Sequence, residues 1–226
     1  MKPSTVILAA GDFPKKGGRA WKLLAAATRV VCCDGAAGAY RRRFGRWPAV
    51  IVGDLDSMRL RDVPCRVIRD ADQETNDLEK ALDLCARRGW KDPVIVGATG
   101  KREDHMIGNV FRALARQVPI VTDFGVFHPV CGRKILKTVK GAGISVFAPD
   151  PQTKMTSRGL AWPLDDVRFD SLYRATLNRA TASRIELTSD RPALVYVEDG
   201  KSSELRLRPN GGLLTRRSLS RYNSHQ

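Results

Sequence analysis

Two aspartates one residue apart, Asp54 and Asp56, stand in Gly53-Asp54-Leu55-Asp56-Ser57, directly after the apolar run Ala49-Val50-Ile51-Val52. A short apolar run bounded by turn signals reads as a buried strand. Residues two apart in a strand point to the same side, so a chain that stays extended past Gly53 sets two carboxylates side by side at the strand's C-terminal end. Adjacent carboxylates repel, and one takes up a proton unless a cation sits between them. Mg²⁺ accepts one or two carboxylates together with phosphate oxygens and keeps its remaining waters. The pair is therefore a candidate metal–phosphate site. The competing reading is a solvated acidic turn in which Ser57 starts a helix, and for an isolated D-x-D that reading is the better one. The surrounding residues reverse the balance.

Asp72-Gln73-Glu74-Thr75-Asn76-Asp77 precedes and opens a helical pattern. Asn76 is a good N-cap, with Glu79 three residues on completing a box-like pair. Asp77 either complements the helix dipole, with Lys80 as a surface partner, or serves as a third metal carboxylate with Lys80 on phosphate. Gly97-Ala98-Thr99-Gly100-Lys101-Arg102 follows the strand-like Val94-Ile95-Val96. It fails the G-x-x-x-x-G-K-[ST] pattern, since Ile95 and Arg102 stand where Gly and Ser or Thr are needed. A glycine-lined loop with Lys101 and Arg102 can still neutralise phosphates. Asp104-His105 begins the next helix, and a lone His105 is ordinarily structural. Three histidines and scattered cysteines make no zinc site. Trp162, between Ala161 and Pro163, is either a packing residue or a stacking platform for a planar cation.

The elements that must position these groups follow from the apolar pattern. Thr5–Ala10, Arg29–Cys33, Ala49–Val52, Arg66–Arg69, Val94–Val96 and Pro119–Thr122 read as strands. Between them Ala20–Thr28, Ala36–Phe44, Asn76 to about Gly89, and Glu103–Arg116 read as helices, with Arg41, Arg42 and Arg43 solvated. Such alternation implies an α/β, parallel sheet covered on both faces. Ligands sit beyond the carboxyl ends of those strands, where Asp12, Asp34, Asp54, Asp56 and the Gly97–Lys101 loop all fall. From about Val126 the texture changes. Gly143–Ala148, Arg184–Leu187 and Ala193–Val197 read as strands and helix patterns are weak, which predicts a second, all-β domain. The division is residues 1–130 for an α/β catalytic domain, 131–209 for the β domain, and 210–226 for a mobile basic tail.

The 226 residues suffice for a substantial core, and their net charge of +15 points to polyanionic partners. Five cysteines without C-x-x-C spacing suggest free thiols in a reducing compartment. No apolar run approaches bilayer length, and Val6–Ala10 is too short for a signal-peptide core. These features predict a soluble, cytoplasmic protein. Nucleic acid is an unlikely partner, because the basic residues are not interleaved with aromatics and no nucleic-acid-binding motif is present.

Taken together, the motifs resemble the thiamine pyrophosphokinase family. The resemblance rests on Cys33-Asp34-Gly35-Ala36-Ala37, Ile51 to Ser57, Asp72-Gln73 with Asn76 to Leu82, and Gly97 to His105 with Asn109. Further on it rests on Thr156 to Leu164 and, more weakly, Leu177-Asn178. It implies a Rossmann-like parallel-sheet N-terminal domain, an all-β sandwich C-terminal domain, and a homodimer with active sites shared between subunits. The implied reaction passes the diphosphate of ATP to the hydroxyl of thiamine and releases AMP. Asp54, Asp56 and Asp77 match the Mg²⁺ carboxylates. Asp34, Gln73, Lys80, Arg102, Asp104 and Asn109 match positions lining the nucleotide and substrate cleft, with Gly35, Lys101 and His105 in the same segments. Ser157, Trp162 and Asn178 match the thiamine side. Gly38, Asn76 and Lys101 depart from the family's common Asn, Thr and Gly. The alternatives are a diphosphokinase for another planar acceptor, such as a hydroxymethylpterin, and a basic nucleic-acid-binding protein on an inactive scaffold.

Overall fold

Strands β1 (Thr5–Leu8), β2 (Arg29–Cys33) and β3 (Val50–Gly53) are short, apolar and parallel, joined by helices α1 (Arg19–Ala26) and α2 (Ala36–Phe44). Edge strand β4 (Arg66–Arg69) lies beside β3. Helix α3 (Asp77–Arg87) then carries the chain back across the sheet to β5 (Val94–Val96), which pairs with the free side of β1. Helix α4 (Glu103–Ala115) leads to β6 (Ile120–Val121) beside β5. These are the elements of a computed structural model, which describes residues 4–54, 63–70 and 74–200, and the backbone alone at 206–207 and 213–214.

The strands are apolar throughout because both faces are covered. Val6, Leu8, Val30, Cys32 and Ile51 pack with Ala20 and Leu24 of α1 and Ala37 and Tyr40 of α2. Their neighbours Ile7, Val31, Cys33, Val50 and Val52 pack with Leu78, Ala81, Leu82 and Cys85 of α3 and Ala113 of α4. Period-two alternation thus feeds two cores, each fully buried Val, Ile or Leu stabilising by ~1.5–3 kcal/mol. It also sends Cys32 and Cys33 to opposite faces, and all five cysteines are free.

The N-cap of α3 forms as the sequence predicts, Asn76 Oδ1 accepting from Glu79 N at 3.0 Å. The reciprocal half of the box does not. The Glu79 carboxylate turns to α4, accepting from Arg112 Nε at 2.8 Å and pairing with Arg116 at 3.5 Å. A guanidinium on the neighbouring helix outcompetes a backbone N–H for the carboxylate.

The second half is built from strands, and it joins the same sheet. A Thr122 turn, whose Oγ1 accepts from the N–H of Phe124 and Gly125, reverses the chain from β6 into the antiparallel β7 (Gly125–Lys137). β7 pairs along its length with β11 (Arg184–Glu198). β8 (Gly143–Phe147) pairs with the C-terminal part of β11, β9 (Met155–Arg158) with its N-terminal part, and β10 (Ala175–Arg179) with β8. The order across the sheet is β10-β8-β11-β7-β6-β5-β1-β2-β3-β4, with β9 on β11. The chain is thus a mixed α/β, sheet-rich fold. The texture change near residue 126 falls inside β7. Arg184–Leu187 and Ala193–Val197, read as two strands, are one strand with a register shift between Ser189 and Ala193. Pro192, which cannot donate to a ladder, sits in that shift. A third core, including Val130, Ile144, Phe169, Ile185, Leu187 and Val195, belongs to this half. Beyond it, the backbone of Arg206–Leu207 pairs with that of Leu213–Leu214. The remainder of the 210–226 tail lies outside the described residues.

Candidate active site

Chain order reverses between β1 and β5: β2 and β3 extend one way, β6 the other. The crevice expected at such a switch point is present. A cavity of about 470 Å³ is lined by Ala10, Gly11, Asp54, Asp77, Lys80 and Lys101, with Arg102, His105 and Asn109 further along. Its rim depends on two loops that interlock. Gly11 N donates to Gly97 O at 2.8 Å and Asp12 N to Thr99 O at 2.8 Å. A Cβ on Gly11 would lie 2.5 Å from both the Gly97 and Thr99 carbonyl oxygens, so only glycine fits there.

The carboxylates gather at the end of β3. A Cβ on Gly53 would lie 2.9 Å from Asp34 Cβ and 3.2 Å from Asp77 Oδ1, so the backbone leading to Asp54 passes against both of those side chains. Asp34 is 8% exposed and holds φ at 30°, a costly backbone for a residue with a side chain. Its N–H donates to Val52 O at 2.8 Å, which anchors the turn from β2 into α2. Cys33, beneath them, has its thiol pushed well up by burial and then by the Asp77 carboxylate, which leaves it protonated and unreactive. Asp56 and Gln73 lie outside the described residues. Among the described residues no group of three or more His, Cys, Asp and Glu side chains is arranged to hold a metal. Hard carboxylate oxygens converging on one strand end nonetheless fit Mg²⁺ by chemistry.

The cations surround this cluster. Lys80 is buried, 4% exposed, and is not the surface partner of Asp77 that helix spacing allows. Its Nζ donates to Asp70 O at 2.8 Å and lies 3.9 Å from Asp77 Oδ1. Lys101, with φ at 56°, sends Nζ back to Ala10 O at 2.7 Å, across the crevice mouth. Arg102 pairs with Asp104 at 2.6 Å, and this hydrogen bond holds the Asp104 carboxyl down to about 2. Both side chains of that pair are exposed, so it contributes little stability. Asn109 is buried and bonded on both sides, Nδ2 to Ala98 O and Oδ1 to Asn76 Nδ2.

Arg43 is exposed, as its solvated reading expects, and it also lines an adjoining cavity with Asp34, Gly35, Ala36, Ala39 and Lys101. Its guanidinium sits 4.5 Å from the centre of the Phe13 ring. The available signal was the i, i+3, i+7 spacing of Ala36, Ala39 and Arg43 on one face of α2.

Two family models cover most of the chain. The thiamin pyrophosphokinase catalytic domain matches residues 20–122, and the thiamin pyrophosphokinase substrate-binding domain matches residues 125–196. The chain belongs to the thiamin pyrophosphokinase family. It is therefore an enzyme, a thiamine diphosphokinase. Thiamin pyrophosphokinase 1 of Caenorhabditis elegans is 26% identical over 191 residues, 74% of this chain and 78% of that one. Thiamine pyrophosphokinase from Bacillus subtilis superposes with a TM-score of 0.68 at 19% identity, covering 87% of this chain and 99% of that one. Yeast thiamin pyrophosphokinase gives 0.68 at 14%, covering 87% and 86%.

The three residues matched to the thiamine side of the family stand apart from the crevice. Ser157 on β9 accepts from Leu164 N at 3.0 Å. Asn178 on β10, 4% exposed, accepts from Trp162 N at 3.2 Å and donates to Trp162 O at 2.7 Å. These bonds pin the Trp162 loop by its backbone and leave the indole outward, 60% exposed. None of the three lines the crevice of its own chain. Among the described residues no helix is long and apolar enough to cross a membrane.

Proposed function

We propose that the crevice at the ends of β1, β2, β3 and β5 is where this thiamin pyrophosphokinase passes the diphosphate of ATP to the thiamine hydroxyl and releases AMP. The observation that carries the assignment is the convergence of Asp34, Asp54 and Asp77 on one strand end, with Lys80, Lys101 and Arg102 around it. Asp54 and Asp77, with Asp56, are the residues that would hold Mg²⁺. When bound, that ion neutralises phosphate charge and orients the oxygens. Lys80, held by Asp70 O, presents its ammonium to a phosphate, and Lys101 and Arg102 add charge from the other wall. Asp34 and Gly35 face the nucleotide, with Gln73, Asp104, His105 and Asn109 completing that side. Asp77 is the nearest base for the acceptor's proton, and a loose transition state lessens the need for one.

Ser157, Trp162 and Asn178 form the thiamine side, with the indole face stacking on the cationic ring. The enzyme works as a homodimer in which this face of one chain completes the crevice of the other. What supports the pairing is distance. β10 and β3 are separated by eight strand spacings in the sheet order, roughly 35–40 Å along the sheet. Trp162, Tyr173 and Leu177 are large apolar side chains left exposed in this half of the chain, which a partner subunit would cover. We read residues 1–130 as a Rossmann-like catalytic unit, 131–209 as a β-sandwich substrate unit, and 210–226 as a basic tail. Five free cysteines are in keeping with a reducing, cytoplasmic setting.

The test is direct: incubate the purified enzyme with ATP, Mg²⁺ and thiamine, and measure AMP and thiamine diphosphate. Equal amounts of the two, absent when thiamine is left out, are expected. ATP turnover that ignores thiamine would overturn the assignment.

A further inference from the structure

The carboxylate end of the crevice belongs to α3 and the phosphate end to the loop after β5. Two amide side chains tie them together. Asn76 Oδ1 accepts from Glu79 N at 3.0 Å as the cap of α3, while its Nδ2 donates to Asn109 Oδ1 at 3.2 Å. Asn109, on the second turn of α4, donates its own Nδ2 to Ala98 O at 3.1 Å. The relay runs from the backbone of α3 through two amides to the backbone of the Gly97–Arg102 loop. Each amide has donor and acceptor ends in use in one direction, so the orientation of one dictates that of the other. Asn109 is 8% exposed, and in such a site a broken bond leaves an unsatisfied polar group. The link depends on an amide at position 76. A hydroxyl there caps the helix equally well but is too short to bond across to Asn109 as well.

We propose that Asn76 and Asn109 form a positioning pair, which holds the Asp77-bearing turn and the Gly97–Arg102 loop at the separation the bound triphosphate requires. This rests on the reaction assigned to the crevice. Asn109 then acts through Asn76 and Ala98. Its contribution is to keep Lys101 and Arg102 aligned with Asp77, and it supplies no charge of its own. Positioning of this kind is realised in the transition state, because small misplacements of neutralising groups cost rate.

The test uses the full-length enzyme and Asn76→Ser, which keeps the cap and removes the amide, beside Asn109→Ala and the double variant. Backbone hydrogen exchange is followed through α3 and residues 97–102, together with steady-state kinetics. In Asn76→Ser the exchange of residues 97–102 should rise by about 2- to 10-fold, the effect of one net hydrogen bond, with exchange in α3 unmoved and the melting temperature lowered by only a few degrees. The kcat should fall while the thiamine KM stays put. The double variant should be no worse than Asn109→Ala, since the two act as one unit. Loop exchange that ignores Asn76→Ser would overturn the proposal, as would additive losses in the double variant. Asn109→Ala, which empties a buried polar site, is dispensable if it does not fold, because Asn76→Ser alone decides. If the wild type forms no thiamine diphosphate, the reaction assignment fails, and the exchange result still decides whether the tie exists.

Discussion

At the scale of single residues, burial separates side chains that sequence types alone leave equivalent. Trp162 and Tyr40 are both aromatic residues that follow an alanine, yet Tyr40 is 1% exposed and Trp162 is 60% exposed. Trp162→Ala should therefore change stability by less than about 1 kcal/mol. It should raise the thiamine KM by about 2- to 30-fold, the weight of one cation–π contact, with the ATP KM nearly constant. A melting temperature that drops sharply, or an equal loss toward both substrates, would refute the stacking role. Asp54→Asn tests the other end of the crevice. It removes one charge from a crowded carboxylate group, so stability measured without Mg²⁺ should hold or rise, while turnover should fall by at least about 100-fold. Near-normal turnover in that variant would remove Asp54 from the metal assignment.

At the scale of elements, β7 carries a titrating group that the crevice does not use. His128, half-buried and paired opposite Val195, has its pKa lowered from 6.5 to about 4 by burial, with Lys134 and Arg19 adding to the effect. Between those values the unfolded chain binds a proton that the folded chain refuses. Stability is thus full above pH 6.5, declines as pH falls toward 4, and levels off below. His128→Gln should flatten the melting temperature over that window and leave it little changed at pH 7.5. Parallel pH profiles for the two proteins would show that the acid sensitivity arises elsewhere.

At the scale of the molecule, the sheet sets crevice and Trp162 face far apart within one chain, and the proposed dimer brings them together. Asp54→Asn and Trp162→Ala then damage different halves of each site. Mixed dimers of the two variants should contain one site with both lesions and one with neither. Activity should recover to about half of wild type per mixed dimer, provided exchange of subunits is complete. Folded, well-mixed dimers whose activity keeps the raised thiamine KM of Trp162→Ala would mean that each site is built within one chain.

Much of the α/β part was legible because its signals are local. An apolar run between turn residues encodes a strand buried on both faces, and Asn76 caps α3 with its own side chain three residues away. Glycine at 11 marks where two backbones approach closely, and glycine at 53 where the backbone passes against two aspartate side chains. The second half was less legible. β7 contains Pro129 and Gly132, residue types that weaken a strand pattern, and only pairing with β11 makes it one strand. Pro192 likewise divides β11 in the sequence, while a register shift absorbs it in the sheet. The surroundings of Lys80 and Asn109 come from partners that periodicity cannot name. Lys80 is buried because the loop after β4 offers it the Asp70 carbonyl, and Asn109 is bonded by α3 and by the β5 loop. Residue type and spacing determined which chemistry this chain carries, since carboxylates, cations and glycines are intrinsic to it. Which of those groups meet was decided by the crossing of α3 to the far side of β1, because only that crossing brings residues distant in sequence to one strand end.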